Sequence, residues 1–507
     1  MSAAACATLR VVTDDRPSPR PSDGVVHPGT AADPDLDAGA AALTAAELAA
    51  LTGGELLRAS YRPVRGAAVD SRLVRPGELF VALPGERTDG HRFLDAAVAA
   101  GAAALLVSEA IPPSALDRLG EETVVRVPDT LRGLQAIAAA WRARFDPLVV
   151  GVTGSIAKTS TKEAVATVLA ADRRTLRSEG NQNNEIGLPL TLLRLGPEDA
   201  AAVLEMGMYV GGEIRELTRI ARPRIGVVTA VLGVHLSRIG TIEAVEDAKA
   251  ELVEALPPNG VAVLNADDPR VRRMAGRTSA GVLTYGFDPD AAVGAEDAAS
   301  AGLDGMRFTL RLPDSARVPV SIPALGRLSV HNALAGAAVG HAAGMTPGAI
   351  AAALAGGWAA PHRGQVVRVA GITIVDDAYN ASPASVVAAL DLLAGLPGRR
   401  VAVLGEMLEL GDAAAAGHRE VGRAAAPVCD LLCVIGAGPG PEAIVAGARE
   451  GGLRDDRILA LEDRESAAQL LPAVLDPGDV VLVKASRGVA LDLLVDALVI
   501  ALGGARP

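Results

Sequence analysis

The sequence predicts an α/β protein of three domains: a small α/β unit, a central domain on a parallel sheet with a P-loop-type turn, and a C-terminal Rossmann-like domain. Three observations predict it. The chain has 507 residues, and a domain takes about 150. Short runs rich in Val, Ile and Leu alternate with helical stretches, the mark of parallel strands buried on both faces. That rhythm pauses at the Gly- and Pro-bearing "GWAAPHRG" and restarts after Arg363.

Taken in order, residues 1–42 are rich in Pro, Asp, Gly, Ala and Ser without apolar period, which predicts a disordered tail. Order is expected from "LTAAELAALTGG", where Thr44 caps a short helix that ends at Gly53-Gly54. "GAAVDSR", "GELFVAL" and "AAALLVSE" read as strands, and "HRFLDAAVAAG" as a helix between two of them. These define an N-terminal domain over 43–146. The strands "LVVGVTG", "AAVLEMG", "RIGVVTAV" and "GVAVLNADD" define a central domain over 147–362. "ITIVDDAYN", "RRVAVLGEM", "LLCVIGAG", "ILALED" and "VVLVKASRG" define a third over 363–507.

A formal net charge of -12 argues against broad nucleic-acid binding, which needs a basic surface. It leaves room for a local basic pocket. Cys6, Cys429 and Cys433 have no His or Cys cluster beside them. Buried reduced thiols are therefore expected rather than a zinc site. No apolar run reaches the ~20 residues of a membrane helix, and no charged stretch precedes an apolar core as in a secretory signal. A soluble cytoplasmic protein without membrane insertion is expected.

The chemistry gathers at strand ends. "GVTGSIAKTSTKE" joins an apolar strand to a helix through a glycine turn. Backbone N–H groups around Gly154 and Ser155 and the helix dipole would cradle an anion. Lys158 would reach the terminal phosphates, and Thr159 would offer its hydroxyl to Mg²⁺. Ala157 stands where the strict motif has its second glycine. A methyl group there is expected only if φ is negative. Glu205, His235, Asp376 and Asp377 each follow a strand, at the sheet edge where α/β ligands bind. Each also fits a solvated loop residue. Lys249, on the amphipathic "TIEAVEDAKAELVEAL", reads as a surface lysine paired with Glu246.

Together these stretches resemble the Mur ligases, and within them the UDP-N-acetylmuramoyl-tripeptide–D-alanyl-D-alanine ligases. The likeness runs from about residue 45 to 500. It is carried by "VDSR…PGELFVALPGERTDGHRF", "GNQNNEIGLPLTLLRL", "LEMGMYVGGEIRELTRIARP", "DDAYNASPAS" and "VAVLGEMLELGD". The resemblance implies a monomeric, ATP- and Mg²⁺-dependent amide ligase that works through an acyl phosphate. Its substrates would be UDP-N-acetylmuramoyl-tripeptide and D-alanyl-D-alanine. By the same resemblance Glu205 and His235 pair on a metal. Lys249 carries CO₂ as a carbamate and supplies oxygens to a second magnesium. Asn184, Asn332 and Arg363 approach the nucleotide, Asp377 and Tyr379 bring the third domain onto it, and Ser71 and Arg72 hold the uridine nucleotide. The chain departs from the family pattern at Ala157, at Ser382 and in the spelling "AAPHRGQ". A paralogue with another dipeptide or depsipeptide, a nucleotide-binding scaffold and a folate-type polyglutamate ligase are the competing readings.

Overall fold

Thr44 caps the first described helix as expected, and Glu47 returns the bond. The Glu47 amide donates to Thr44 Oγ1 (3.2 Å) and the Thr44 amide to Glu47 Oε2 (2.8 Å). The helix Ala45–Thr52 stops at Gly53, whose φ of 62° suits a residue without Cβ. The structure, a computed structural model, describes residues 41–85, 88–233 and 239–505. The disordered-tail expectation therefore lies, save for residues 41 and 42, outside the described residues, as does Cys6.

Three sheets carry the chain. The first orders its strands Glu55–Arg58, Thr123–Arg126, Ala104–Val107, Leu79–Val81 and Ala67–Ala68. Only Glu55–Arg58 runs antiparallel to its neighbour. The second has nine strands. Leu148–Thr153 lies between Ile225–Val228 and Ala201–Glu205, with Thr175–Arg177 beyond the latter and Val261–Asn265, Gly281–Gly286 and Val293–Ser300 beyond the former. All these pair in parallel. Met306–Arg311 and Arg317–Ile322 then extend the sheet antiparallel, a departure from the expected wholly parallel sheet. Their side chains alternate between buried and solvated, and antiparallel pairing tolerates one wet face. The third sheet is parallel from Ile372–Asp376 through Asp479–Lys484, Arg399–Gly405 and Leu431–Ile435 to Ile458–Leu461. An antiparallel edge strand, Gln365–Val369, precedes it.

Period-two alternation sorts the core. Val150 and Val152 pack with Val165 and Leu169 of the helix Lys158–Ala170 and with Leu334 and Ala338 of Gly326–Ala342. Val149, Ala202 and Leu204 face the other way, toward Leu217, Ile220 and Leu252. This second cluster continues into the first sheet through Leu134, Ile137 and Trp141 of the helix Thr130–Arg142. Trp141 Nε1 donates to the Leu195 carbonyl (2.9 Å) and Arg142 Nε to that of Ala221 (2.9 Å). The first and second sheets thus share one core. The third has its own two clusters, one per face, and the central part sends Leu325 and Leu303 into one of them. Cys429 and Cys433 fall in different clusters of that third unit. Burial pushes both thiols up to about 12, as expected of inert core cysteines. Among the described residues no helix is long and apolar enough to cross a membrane.

Candidate active site

The loop after Leu148–Thr153 is shaped by two residues with positive φ. Gly154 has φ of 150°, and a Cβ there would lie 1.8 Å from Thr229 Oγ1. That hydroxyl is itself held, donating to the Ile156 carbonyl (2.6 Å). The Ser155 hydroxyl donates to the Leu232 carbonyl (3.1 Å) and accepts from the Leu232 amide (2.9 Å), so it braces the loop. Ala157 caps the helix with φ of 62° and ψ of 4°. The expectation of a negative φ is therefore overturned. The chain must turn left-handed before its first helical residue, methyl group or not. The Thr161 amide then donates to the Ala157 carbonyl (2.8 Å) as the first helical bond.

A left-handed alanine costs about 1–2 kcal/mol, while glycine loosens the unfolded chain by ~0.4–1 kcal/mol. Ala157→Gly is thus expected to be neutral or stabilising by up to about 1 kcal/mol, with KM for ATP unchanged or lower. Thermal unfolding and ATP titration check this. A sharp loss of activity would mean that the loop is built around the methyl group.

Behind the loop the polar groups converge. Glu205, 3% exposed at the end of its strand, accepts from Thr159 Oγ1 (2.8 Å) on one oxygen and from Asn183 Nδ2 (2.8 Å) on the other. Lys158 Nζ donates to the Gly154 carbonyl (2.8 Å). Burial lowers the Lys158 ammonium's pKa, Glu205 raises it, and Arg363 lowers it further. Thr161 Oγ1 donates to Asn332 Oδ1 (2.9 Å) in the cleft's buried floor. Asn184 also lines the cleft, but its Oδ1 accepts from the Ile186 and Gly187 amides (3.3 and 2.9 Å). Its neighbour Asn183, which the sequence reading missed, is the one that reaches Glu205.

Lys249 is not the surface residue that its helix predicts. It is 3% exposed, and Glu246 pairs instead with Arg273 (2.7 Å) and Arg270 (3.8 Å). In the helix Ile242–Glu254 it shares the buried face with Val245, Ala248 and Leu252. Burial first, and then the like charge of Lys158, hold its ammonium well below the usual lysine range. Among the described residues no carboxylate pairs with it. His235 lies outside the described residues.

The third sheet supplies the opposite wall. The cleft between the second and third sheets has a volume of about 1220 Å³, lined by Lys158, Thr159, Glu205 and Asn332 on one side and by Asp377, Tyr379 and Lys484 on the other. Arg363 reaches over the Tyr379 ring (4.0 Å from guanidinium carbon to centroid). Asp377 accepts from Lys484 Nζ (2.6 Å), a lysine the sequence reading did not select. Asp376 points elsewhere: His362 Nδ1 lies 2.7 Å from its Oδ2, and burial raises its carboxyl pKa. Ser71 and Arg72 are not in this cleft. They occupy a turn of the first sheet, where the Arg72 side chain, 85% exposed, bonds Asp70 (2.6 and 2.9 Å).

Known proteins match along the whole of this architecture. The family model of the Mur ligase middle domain matches residues 152–340, that of the Mur ligase glutamate ligase domain residues 362–487, and that of the Mur ligase family catalytic domain residues 63–142. A UDP-N-acetylmuramoyl-tripeptide–D-alanyl-D-alanine ligase of Mycobacterium bovis is 39% identical over 501 residues, which cover 90% of this chain and 98% of that protein. A crystal structure of MurF from Acinetobacter baumannii superposes with a TM-score of 0.80 at 28% identity, covering 91% of this chain and 99% of that one. The MurF ligase of Thermotoga maritima, solved in complex with ADP, gives 0.75 at 31% identity over 86% of this chain and 98% of that one.

Proposed function

The chain belongs to the Mur ligase family, and we propose that it joins D-alanyl-D-alanine to UDP-N-acetylmuramoyl-tripeptide at the expense of ATP. The observation that carries the reading is the cleft itself. A phosphate loop with Lys158 and Thr159 abuts a buried carboxylate, and a second wall brings Arg363 and Tyr379 against it. A substrate carboxylate is a poor electrophile, so ATP first converts it to an acyl phosphate. The dipeptide amine then attacks the carbonyl, and phosphate leaves.

The protein's share is positioning and charge neutralisation. Lys158 and Arg363 gather the phosphate oxygens, and Asn332 and Thr161 floor the site. The donor set at Glu205 fits Mg²⁺: a buried carboxylate oxygen touching a threonine hydroxyl is the hard-oxygen chemistry that this ion takes. Lys249 as a carbamate would add oxygens, and His235 would complete the set. Magnesium, when bound, neutralises phosphate charge. A scaffold would have no use for this constellation. In the assay that tests the reading, ADP release requires both UDP-N-acetylmuramoyl-tripeptide and D-alanyl-D-alanine. ATP turnover indifferent to either substrate would overturn it.

The three substrates must meet. The first two sheets share a core, while the third is built on two clusters of its own, one of which takes Leu325 and Leu303 from the central part. The joining segment holds three positive-φ residues, Gly357 (72°), His362 (57°) and Gly364 (73°). The third domain is therefore the one expected to swing, about Gly356–Gly364, and to exclude water from the acyl phosphate. Small-angle scattering should show a smaller radius of gyration with a non-hydrolysable ATP analogue and the UDP-sugar peptide. An unchanged radius with both bound would mean that the unit does not move.

A further inference from the structure

Arg363 and Gly364 of the joining segment line the cleft, and His362, directly before them, does not. His362 has a φ of 57°, a left-handed conformation that a residue with a Cβ seldom takes. Such a conformation persists where the surroundings fix it, and here they fix both the backbone and the side chain. The His362 carbonyl accepts from the Tyr379 amide (3.1 Å). Its ring donates from Nδ1 to Asp376 Oδ2 (2.7 Å). Asp376 is buried, and its other oxygen accepts from the Ala378 amide (3.1 Å). Gln365 then opens the edge strand as the backbone partner of the same Asp376. The chain thus touches Asp376 at His362, leaves it for Arg363 and Gly364, and returns to it at Gln365.

An arch so short, pinned at both feet, has little freedom. From it Arg363 reaches over the Tyr379 ring (4.0 Å from guanidinium carbon to centroid). Tyr379 is also the residue whose amide holds the His362 carbonyl, so the supports of Arg363 converge on one turn of the third sheet. The guanidinium comes near enough to Lys158 to lower that ammonium's pKa. Burial raises the Asp376 carboxyl, and the His362 bond is the largest influence against it. A long cation on a loose linker would instead have to be ordered each time phosphate binds, at a cost in rotamer freedom.

We infer that His362 is a positioning residue: by bonding Asp376 it holds Arg363 in the orientation that meets the phosphates of the nucleotide. The inference deepens the ligase reading above and rests on its placement of ATP in the cleft. Arg363 is then carried by the third sheet although it belongs to the linker, and the bending left to the linker falls before His362.

Two substitutions separate the ring from the backbone. His362→Gly keeps the left-handed turn and removes the ring. His362→Asn tolerates the same turn, and its Nδ2 stands where Nδ1 does. Each variant is titrated with a non-hydrolysable ATP analogue by calorimetry and then assayed for ligation. His362→Gly is expected to bind the analogue about tenfold more weakly. Its kcat/KM for ATP should fall at least as far, with KM for D-alanyl-D-alanine unchanged. His362→Asn should stay within about twofold of the parent in both measurements. A merely structural role would lower kcat through the active fraction, leave each KM alone and show no rescue by asparagine. On an Arg363→Ala background the glycine substitution should weaken binding no further, because no guanidinium remains to be placed. Unchanged analogue affinity in His362→Gly, no rescue by asparagine, or an equal loss on the Arg363→Ala background overturns the inference. If the unaltered enzyme binds the analogue but ligates nothing with all three substrates saturating, the ligase reading falls. The analogue affinities of the variants then still decide the role of His362.

Discussion

Lys158→Ala is expected to lower ligation about 10³-fold while the protein folds as before. The side chain opens a helix directly after the glycine turn, and its one hydrogen bond is to a carbonyl of its own loop. Little of the fold depends on it. Burial already disfavours its charge, so the alanine variant should unfold within about 0.5 kcal/mol of the parent. The transition state depends on it far more, because charge spread over a transferring phosphoryl group has few other cations in reach. Arg363 comes from the opposite wall and takes part only when that wall is in place. Single-turnover measurements should show slow acyl phosphate formation rather than weak dipeptide binding. Near-normal turnover would remove the phosphate-loop reading.

The parts of the site that announce themselves in sequence are those with fixed spacing. Lys158 and Thr159 follow a strand and a glycine, and Glu205 ends another strand; no dihedral needs to be known to place them at one sheet edge. Ala157 marks the limit of that reasoning, since spacing reports which residue turns the chain and not the sign of its φ. Asn183 and Asn184 are adjacent in "NQNN", and only the fold decides that one bonds Glu205 while the other braces a turn. Asp376 and Asp377 are separated in the same way: strand alternation sends one to His362 and the other to the cleft. Lys484 ends a strand with no motif to flag it. The antiparallel strands Met306–Arg311 and Arg317–Ile322 were legible in principle from their alternation, but they interrupt a strand–helix rhythm that draws the eye past them. Lys249 was hidden for a different reason. Its spacing from Val245 and Leu252 puts it on the buried face, yet a periodicity argument counts lysine as polar and assigns it to solvent.

That misplacement leads to the second large effect. A buried ammonium with no carboxylate beside it among the described residues is disfavoured, and Lys158 nearby worsens it. The neutral amine is the form that reacts with CO₂: nitrogen bonds to carbon, one proton leaves, and a cation site becomes an anionic oxygen donor. The new charge would face Lys158 instead of opposing it, which turns repulsion into attraction. Lys249→Met is therefore expected to separate function from stability. Activity should fall at least about 100-fold, while the thermal midpoint changes little, because an apolar chain of similar length fills the same buried space. Depleting bicarbonate should slow the unaltered enzyme and leave the residual rate of Lys249→Met untouched. Carbon-13 NMR after labelling with bicarbonate gives a readout besides activity: one carbamate resonance, absent in Lys249→Met. Lys249→Glu, which restores a carboxylate on a shorter arm, should retain more activity than Lys249→Ala. If bicarbonate has no influence and no carbamate resonance forms, the buried lysine acts as a neutral amine, and the metal oxygens must come from elsewhere in the cleft.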